Sequence, residues 1–272
     1  MKKLLYSTAI LAAMAVAFAS CGGDDPVDEP GQTIEVTANV AGSAQLGYIK
    51  RVRAATIDST TEQTIATSAF TAAGINNFSL TLADSPIARY LRAINSEGFT
   101  VSPINTRAAY ADFEGFTSES GEFVYATHYA GLFFLERWSS TATTDVSTFV
   151  EFIYAENDVT IRGTIGDTDS CRFSPTGLLT WAETWNADLK KGWNRLYVTI
   201  VDSLETIPNP VERTTFSTTP VTGLTWVFYG DDPANPANDV VSPATKRMQE
   251  RRAKRGSSRS NVIPRNVRND RR

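Results

Sequence analysis

The chain has one histidine, His128, and only two cysteines, Cys21 and Cys171, among its 272 residues. A single imidazole excludes multi-histidine metal sites, and any Ser-His-Asp or Cys-His catalytic arrangement would have to be built on His128. Two thiols exclude a disulfide framework, so stability must come from packing. After the first twenty residues no segment is apolar enough to cross a bilayer as a helix of about 20 residues. Long Ala/Leu/Glu/Lys runs are scarce as well. What the chain has instead is Thr, Ser, Val and aromatics, a bias towards strands. Its hydrophobic fraction of 42% and charged fraction of 21% are those of a globular protein.

Charge is segregated along the chain. Residues 21–245 hold 28 acidic and 13 basic side chains, whereas residues 246–272 hold 11 basic and 2 acidic ones. The net charge of −4 therefore averages an acidic body and a basic tail.

The N-terminus reads as an export signal. Lys2 and Lys3 form a positive start, residues 4–18 an apolar stretch, and Ala19-Ser20 a small pair directly before Cys21. This pattern resembles the lipobox of bacterial lipoproteins, with Phe18 where that motif usually has Leu. The resemblance implies cleavage before Cys21 and acylation of its thiol by diacylglyceryl and acyl chains such as palmitate. At about 0.8 kcal/mol per buried CH₂, several chains anchor stably. Residues 21–31 (CGGDDPVDEPG) have little to bury and read as an acidic tether. Such a run after the lipidated cysteine resembles the signal for export to the outer face of the outer membrane in Bacteroides-type bacteria.

From residue 32 the pattern is one of strands. Residues 33–40 (TIEVTANV) alternate with a period of two. Similar runs occupy 48–58, 63–70, 78–83, 109–116, 122–128, 132–138, 148–154, 158–165, 178–187, 193–201 and 224–229, separated by turn residues. The pattern pauses near Ser102-Pro103, and Pro208 and Pro210 exclude a strand interior at their positions. The expected fold is all-β, with one or two antiparallel, immunoglobulin-like β-sandwiches and disordered termini. The expected organisation is a signal peptide at 1–20, a tether at 21–31, a first sandwich at 32–103, and a second sandwich or second half at 104–230. A basic tail follows at 231–272, which a read-through extension with no selected role would also explain.

The segments VTIRGT at 159–164, KKGWN at 190–194 and GLTW at 223–226 resemble motifs of uncharacterised surface or periplasmic lipoproteins of Bacteroides-type bacteria. The likeness covers about residues 21–230. It implies a β-sandwich at the cell boundary and brings no catalytic residues with it.

No catalytic residue, metal site or cofactor is expected. His128 and Cys171 lack a recognisable partner motif, and the Asp167/Asp169 pair reads as an acidic turn without the glycine and distant glutamate of an EF-hand. Glu119, Glu122, Glu151 and Glu183 offer carboxylates for glycoside hydrolysis, but no spacing singles out two. Trp181 and Trp185, four apart on one strand face, are candidate platforms for stacking a sugar ring, with core packing as the alternative. Trp193 and Trp226 read as core. The function expected is a non-catalytic binding or adhesion module, with glycan as candidate ligand. The alternatives are an accessory subunit of an outer-membrane complex and a glycan hydrolase. Partners are membrane lipid through Cys21 and glycan or another envelope protein; the envelope address argues against nucleic acid.

Overall fold

Fourteen strands form one mixed sheet in the computed structural model, which describes residues 32–41, 44–57, 61–72, 76–120, 123–170, 178–203 and 211–230. The expected signal peptide and tether, with Cys21, Cys171, Glu122 and the basic residues 246–272, lie outside the described residues. In chain order the strands are β1 (Ile34–Ala41), β2 (Arg51–Ile57), β3 (Glu62–Ala69), β4 (Asn77–Leu82), β5 (Arg92–Ala93), β6 (Thr100–Ser102) and β7 (Arg107–Phe116). After a helical turn, α1 (Tyr125–His128), come β8 (Tyr129–Ser140), β9 (Thr144–Ala155), β10 (Val159–Ser170) and β11 (Leu178–Leu189). The last three are β12 (Gly192–Ser203), β13 (Val211–Ser217) and β14 (Thr225–Gly230). No helix among the described residues is long and apolar enough to cross a membrane.

The all-β expectation holds, but the sheet is mixed rather than antiparallel. β1 runs parallel to β14, and β11 runs parallel to β13. The main path is β4-β1-β14-β8-β7-β9-β12-β13-β11-β10-β6, with β2 and β5 on the other edge of β7 and β3 beyond β2.

This sheet has to curl. Six strand spacings separate β7 from β6 along the path, about 29 Å in a flat sheet. Yet only residues 103–106 join the two strands, a link that spans at most about 18 Å. Closure is incomplete among the described residues. β6 and β7 share no ladder, nor do β3 and β4, and only the isolated bridge Thr71–Asn77 joins the segment after β3 to β4.

Two cores result. The first gathers alternate residues of β1 (Ile34, Val36, Ala38, Val40) with β4, β7, β8 and β14. Phe78, Phe113, Phe133 and Trp226 meet there at ring separations of 5.2–6.2 Å. The second joins β9, β10, β11, β12 and β13 around Trp185 and Phe216. β9 serves both, sending Val150, Phe152 and Tyr154 to the first and Phe149, Ile153 and Ala155 to the second. A strand buried on both faces needs an unbroken apolar run, and FVEFIY at 149–154 supplies one broken only by Glu151.

Two expectations about local structure change. The described part of the expected strand 122–128 is not a strand, because the chain makes the helical turn α1 at Tyr125–His128. β13 went unread because VERTTFS is polar on the face that alternates with Phe216. Its start at Val211, directly after Pro210, agrees with the exclusion of proline from the strand interior. Asp167 and Asp169 lie on β10 rather than in a turn.

Candidate functional site

The turn between β11 and β12 is the KKGWN segment, and its geometry is fixed residue by residue. Gly192 sits at φ +97°, in a region that costs other residues about 1–2 kcal/mol. Asn194 closes the turn: its Oδ1 accepts from the Lys190 amide at 2.8 Å, and its Nδ2 donates to the carbonyls of Lys190 and Gly192 at 2.7 and 2.9 Å. Trp193 is fully buried, and its indole N–H donates to the Asp84 carbonyl at 3.0 Å. Asp158 accepts from the Lys191 amide and from Lys190 Nζ, both at 2.8 Å. Gln32 bridges to Gly192, so the described chain begins against this turn.

Beside the turn lies a groove of about 500 Å³ bordered by Glu35, Asp188, Lys190, Arg195, Tyr197 and Thr218. Its volume is in the range of small-molecule sites. Arg162 grips Asp188 with Nη2 2.7 Å from each carboxylate oxygen, and Thr160 adds a hydroxyl at 3.0 Å. These bonds, Arg162's first and Thr160's second, hold the Asp188 carboxyl below the usual aspartate range. The Lys190 ammonium and then the Lys191 amide do the same for Asp158, while Asp158 raises Lys190. Arg195 is exposed and uses Nη2 on the Glu35 carbonyl at 2.9 Å. Half-buried Tyr197 supplies an aromatic wall. The groove thus offers pre-set donors and acceptors of both charges beside one ring.

The chain matches no protein-family model, no curated protein and no solved structure.

Two further cavities differ in kind. A pocket of about 470 Å³ is lined by Tyr48, Tyr129 and Tyr229, with Thr117 and Thr127, above the paired Gly131 and Gly230. A Cβ on Gly131 would come within 2.2 Å of the Tyr229 carbonyl, so this close strand contact requires glycine. Where β7 passes from β9 to β8, a gap of about 20 Å³ remains beside Asp112 and Glu151. That is room for about one water.

The expected site residues are scattered. Trp185, expected as a ligand platform, is 1% exposed and stacked on Phe216 at 4.1 Å, with Phe99 at its edge. A ring covered in this way has no face left for a sugar. Its indole N–H donates to the buried Glu183 at 2.6 Å. Trp181 shares that face of β11 and is half-buried. Trp193 and Trp226 are core, as read from sequence. His128 ends α1, and its Nδ1 is buried with no hydrogen-bond partner among the described residues, so no triad carboxylate orients it there. Glu119 is exposed near Lys50, and Glu151 is half-buried on β9. No group of three metal-ligating side chains occurs among the described residues. Sequence reasoning missed Arg195 and Tyr197. The available signal was the charge density of DLKKGWNRLY around one glycine, which was read as a turn alone.

Proposed function

We propose that the chain is a lipid-anchored envelope protein that binds glycan, held at the bacterial outer membrane through Cys21 and exposed at the cell surface. In this reading the curled sheet packs as a β-sandwich over its two cores, and the groove at the KKGWN turn takes the ligand. The observation that carries the reading is the groove's fixed set of polar groups beside Tyr197. Sugars are recognised by planar charged side chains that bind hydroxyls and by an aromatic face that covers a ring. Ten residues lie between Cys21 and Gln32, at most about 40 Å of chain from one to the other. The groove would then face glycan close to the membrane. Hydrolysis is the weaker reading, because a general acid must be protonated and Arg162 keeps Asp188 ionised.

The test is glycan-array binding by the full-length protein. Arg195→Ala removes a charged donor worth about 1.5–3 kcal/mol, so affinity should fall about 10–100-fold. Tyr197→Ala should weaken binding too, and Trp181→Ala should leave it unchanged. No glycan signal together with constant co-purification of one membrane protein would favour an accessory subunit instead.

A further inference from the structure

The second core takes only one face of β10 to β13. Ile161, Trp185, Val198 and Phe216 turn into it, so the residues that alternate with them form the opposite face. Register sets that face out in rows, because residues directly opposite on neighbouring strands share a side. Tyr197, Ser217, Asn186 and Arg162 follow one another from β12 through β13 and β11 to β10. Thr199, Thr215, Thr184 and Thr164 form the next row, and Val201, Arg213, Ala182 and Gly166 the one after. Every one of these residues is half-buried or exposed. The face is continuous with the groove, whose Arg195, Tyr197 and Asp188 stand at its near end.

Its charge runs against that of the chain. Residues 21–245 are acidic by 28 to 13, yet the charged side chains on this face of β10 to β13 are Arg162, Arg195, Arg213 and a single carboxylate, Asp188. Arg162 is taken by Asp188. Arg195 uses Nη2 on a backbone carbonyl, and neither it nor Arg213 meets a carboxylate among the described residues. At the groove Glu35 and Lys190 add one charge of each sign, and Lys190 is held by Asp158. Between the two arginines the surface is short hydroxyl side chains, each able to donate and to accept. Those of Thr164 and Thr184 already lie 3.0 Å apart. Short side chains lose little entropy when a ligand fixes them.

We propose that the glycan is an acidic polysaccharide, a chain of uronate sugars that enters at the groove by Arg195 and continues along the β12–β13 ladder to Arg213. This rests on the glycan reading above and names its ligand class. Val201, opposite Arg213, lies six residues beyond Arg195 on β12, about 20 Å along the strand. One sugar ring does not bridge that span; a chain of several does. Guanidinium groups fork onto carboxylates with paired hydrogen bonds, and the threonine and serine rows between them take ring hydroxyls. The acidic remainder of the body repels a polyanion, which confines the contact to this face.

The test is calorimetric titration of the full-length protein with polygalacturonate, alginate and hyaluronate, each beside its carboxyl-reduced, neutral form. At least one acidic polymer should bind about tenfold more tightly than its reduced form, and less tightly as salt rises. Arg213→Gln should weaken that binding about two- to fivefold, the scale of one exposed charge contact. Thr215→Glu, at another exposed position, should weaken it by a similar factor. Lys50→Gln, which removes one charge away from this face, should leave it unchanged. Equal affinity for the reduced polymers, or an equal loss in Lys50→Gln, would overturn the acidic ligand. Binding to neutral glycans alone would do so while leaving the glycan reading in place, whereas silence with every polymer and on the glycan array would remove both.

Discussion

The two cores bury a carboxylate in opposite ways. Behind the first, Glu114 is 1% exposed and meets Arg53, itself 2% exposed, whose guanidinium also reaches Glu62 with paired bonds of 2.7 and 3.0 Å. The rings of Phe116 and Phe123 lie 5.1 and 4.8 Å from that guanidinium. In the second, Glu183 accepts from the indole N–H of Trp185, the ring that also fills the core. The first arrangement separates polar work from packing. The second assigns both to one side chain, so a single substitution there should cost more.

Trp185→Ala should therefore be the most damaging change. It removes a core ring, at about 3–5 kcal/mol, and takes the indole donor from the buried Glu183, at about 1–3 kcal/mol more. Trp226→Ala, in the first core, should cost only the packing share. Trp185→Phe should keep most of the stack on Phe216 and isolate the polar share. Urea unfolding of the three variants makes the comparison, and an equal loss for the two alanine variants would remove the distinction between the cores. Because β9 serves both cores, all three should show one shared transition; two transitions would mean that the cores fold apart.

The next effect belongs to the first core's ionic cluster. Arg53→Met takes the guanidinium from the buried Glu114 and should cost about 3–5 kcal/mol. Adding Glu114→Leu should recover most of that loss, since a buried pair is often replaceable by apolar residues. Failure to recover would assign Arg53 a packing role through Phe116 and Phe123 beyond its charge.

Sequence reading went furthest where one face is buried and the other is wet. β1 follows its alternation residue by residue, and β3, β4 and β14 fall within one residue of the expected bounds, whereas β2, buried on both faces, starts three residues later than expected. It failed where long-range pairing decides. The two-residue β5 and three-residue β6 carry no periodic signal and exist because β7 and β10 offer them edges. Parallel pairing of β11 with β13 has no local signature either. The groove was legible only in half. Gly192 and Asn194 announced a turn, but what brings Arg195 to Glu35 is the position of β1, 160 residues earlier in the chain.

The smallest effect concerns the groove's turn. Asp158 is lowered first by Lys190 and then by the Lys191 amide, and Lys190 is raised by Asp158. A depressed carboxyl contributes above its ordinary value of about 4 and loses that contribution as pH falls through its folded value. A raised lysine contributes below its ordinary value of about 10.4 and loses it as pH rises through its folded value. The turn should be at its firmest between those limits and should loosen on the acid side first, where Asp188 is also lowered by Arg162. These groups are exposed, so salt should weaken the effect. The sharpest reporter is the Lys191 amide, which donates to Asp158. Its exchange protection, followed by NMR, should be flat from about pH 5 to 9 and fall below about pH 4. Asp158→Asn should abolish that acid-side fall while leaving the protection of second-core amides unchanged. Protection lost already at pH 6 would mean that another group sets the turn.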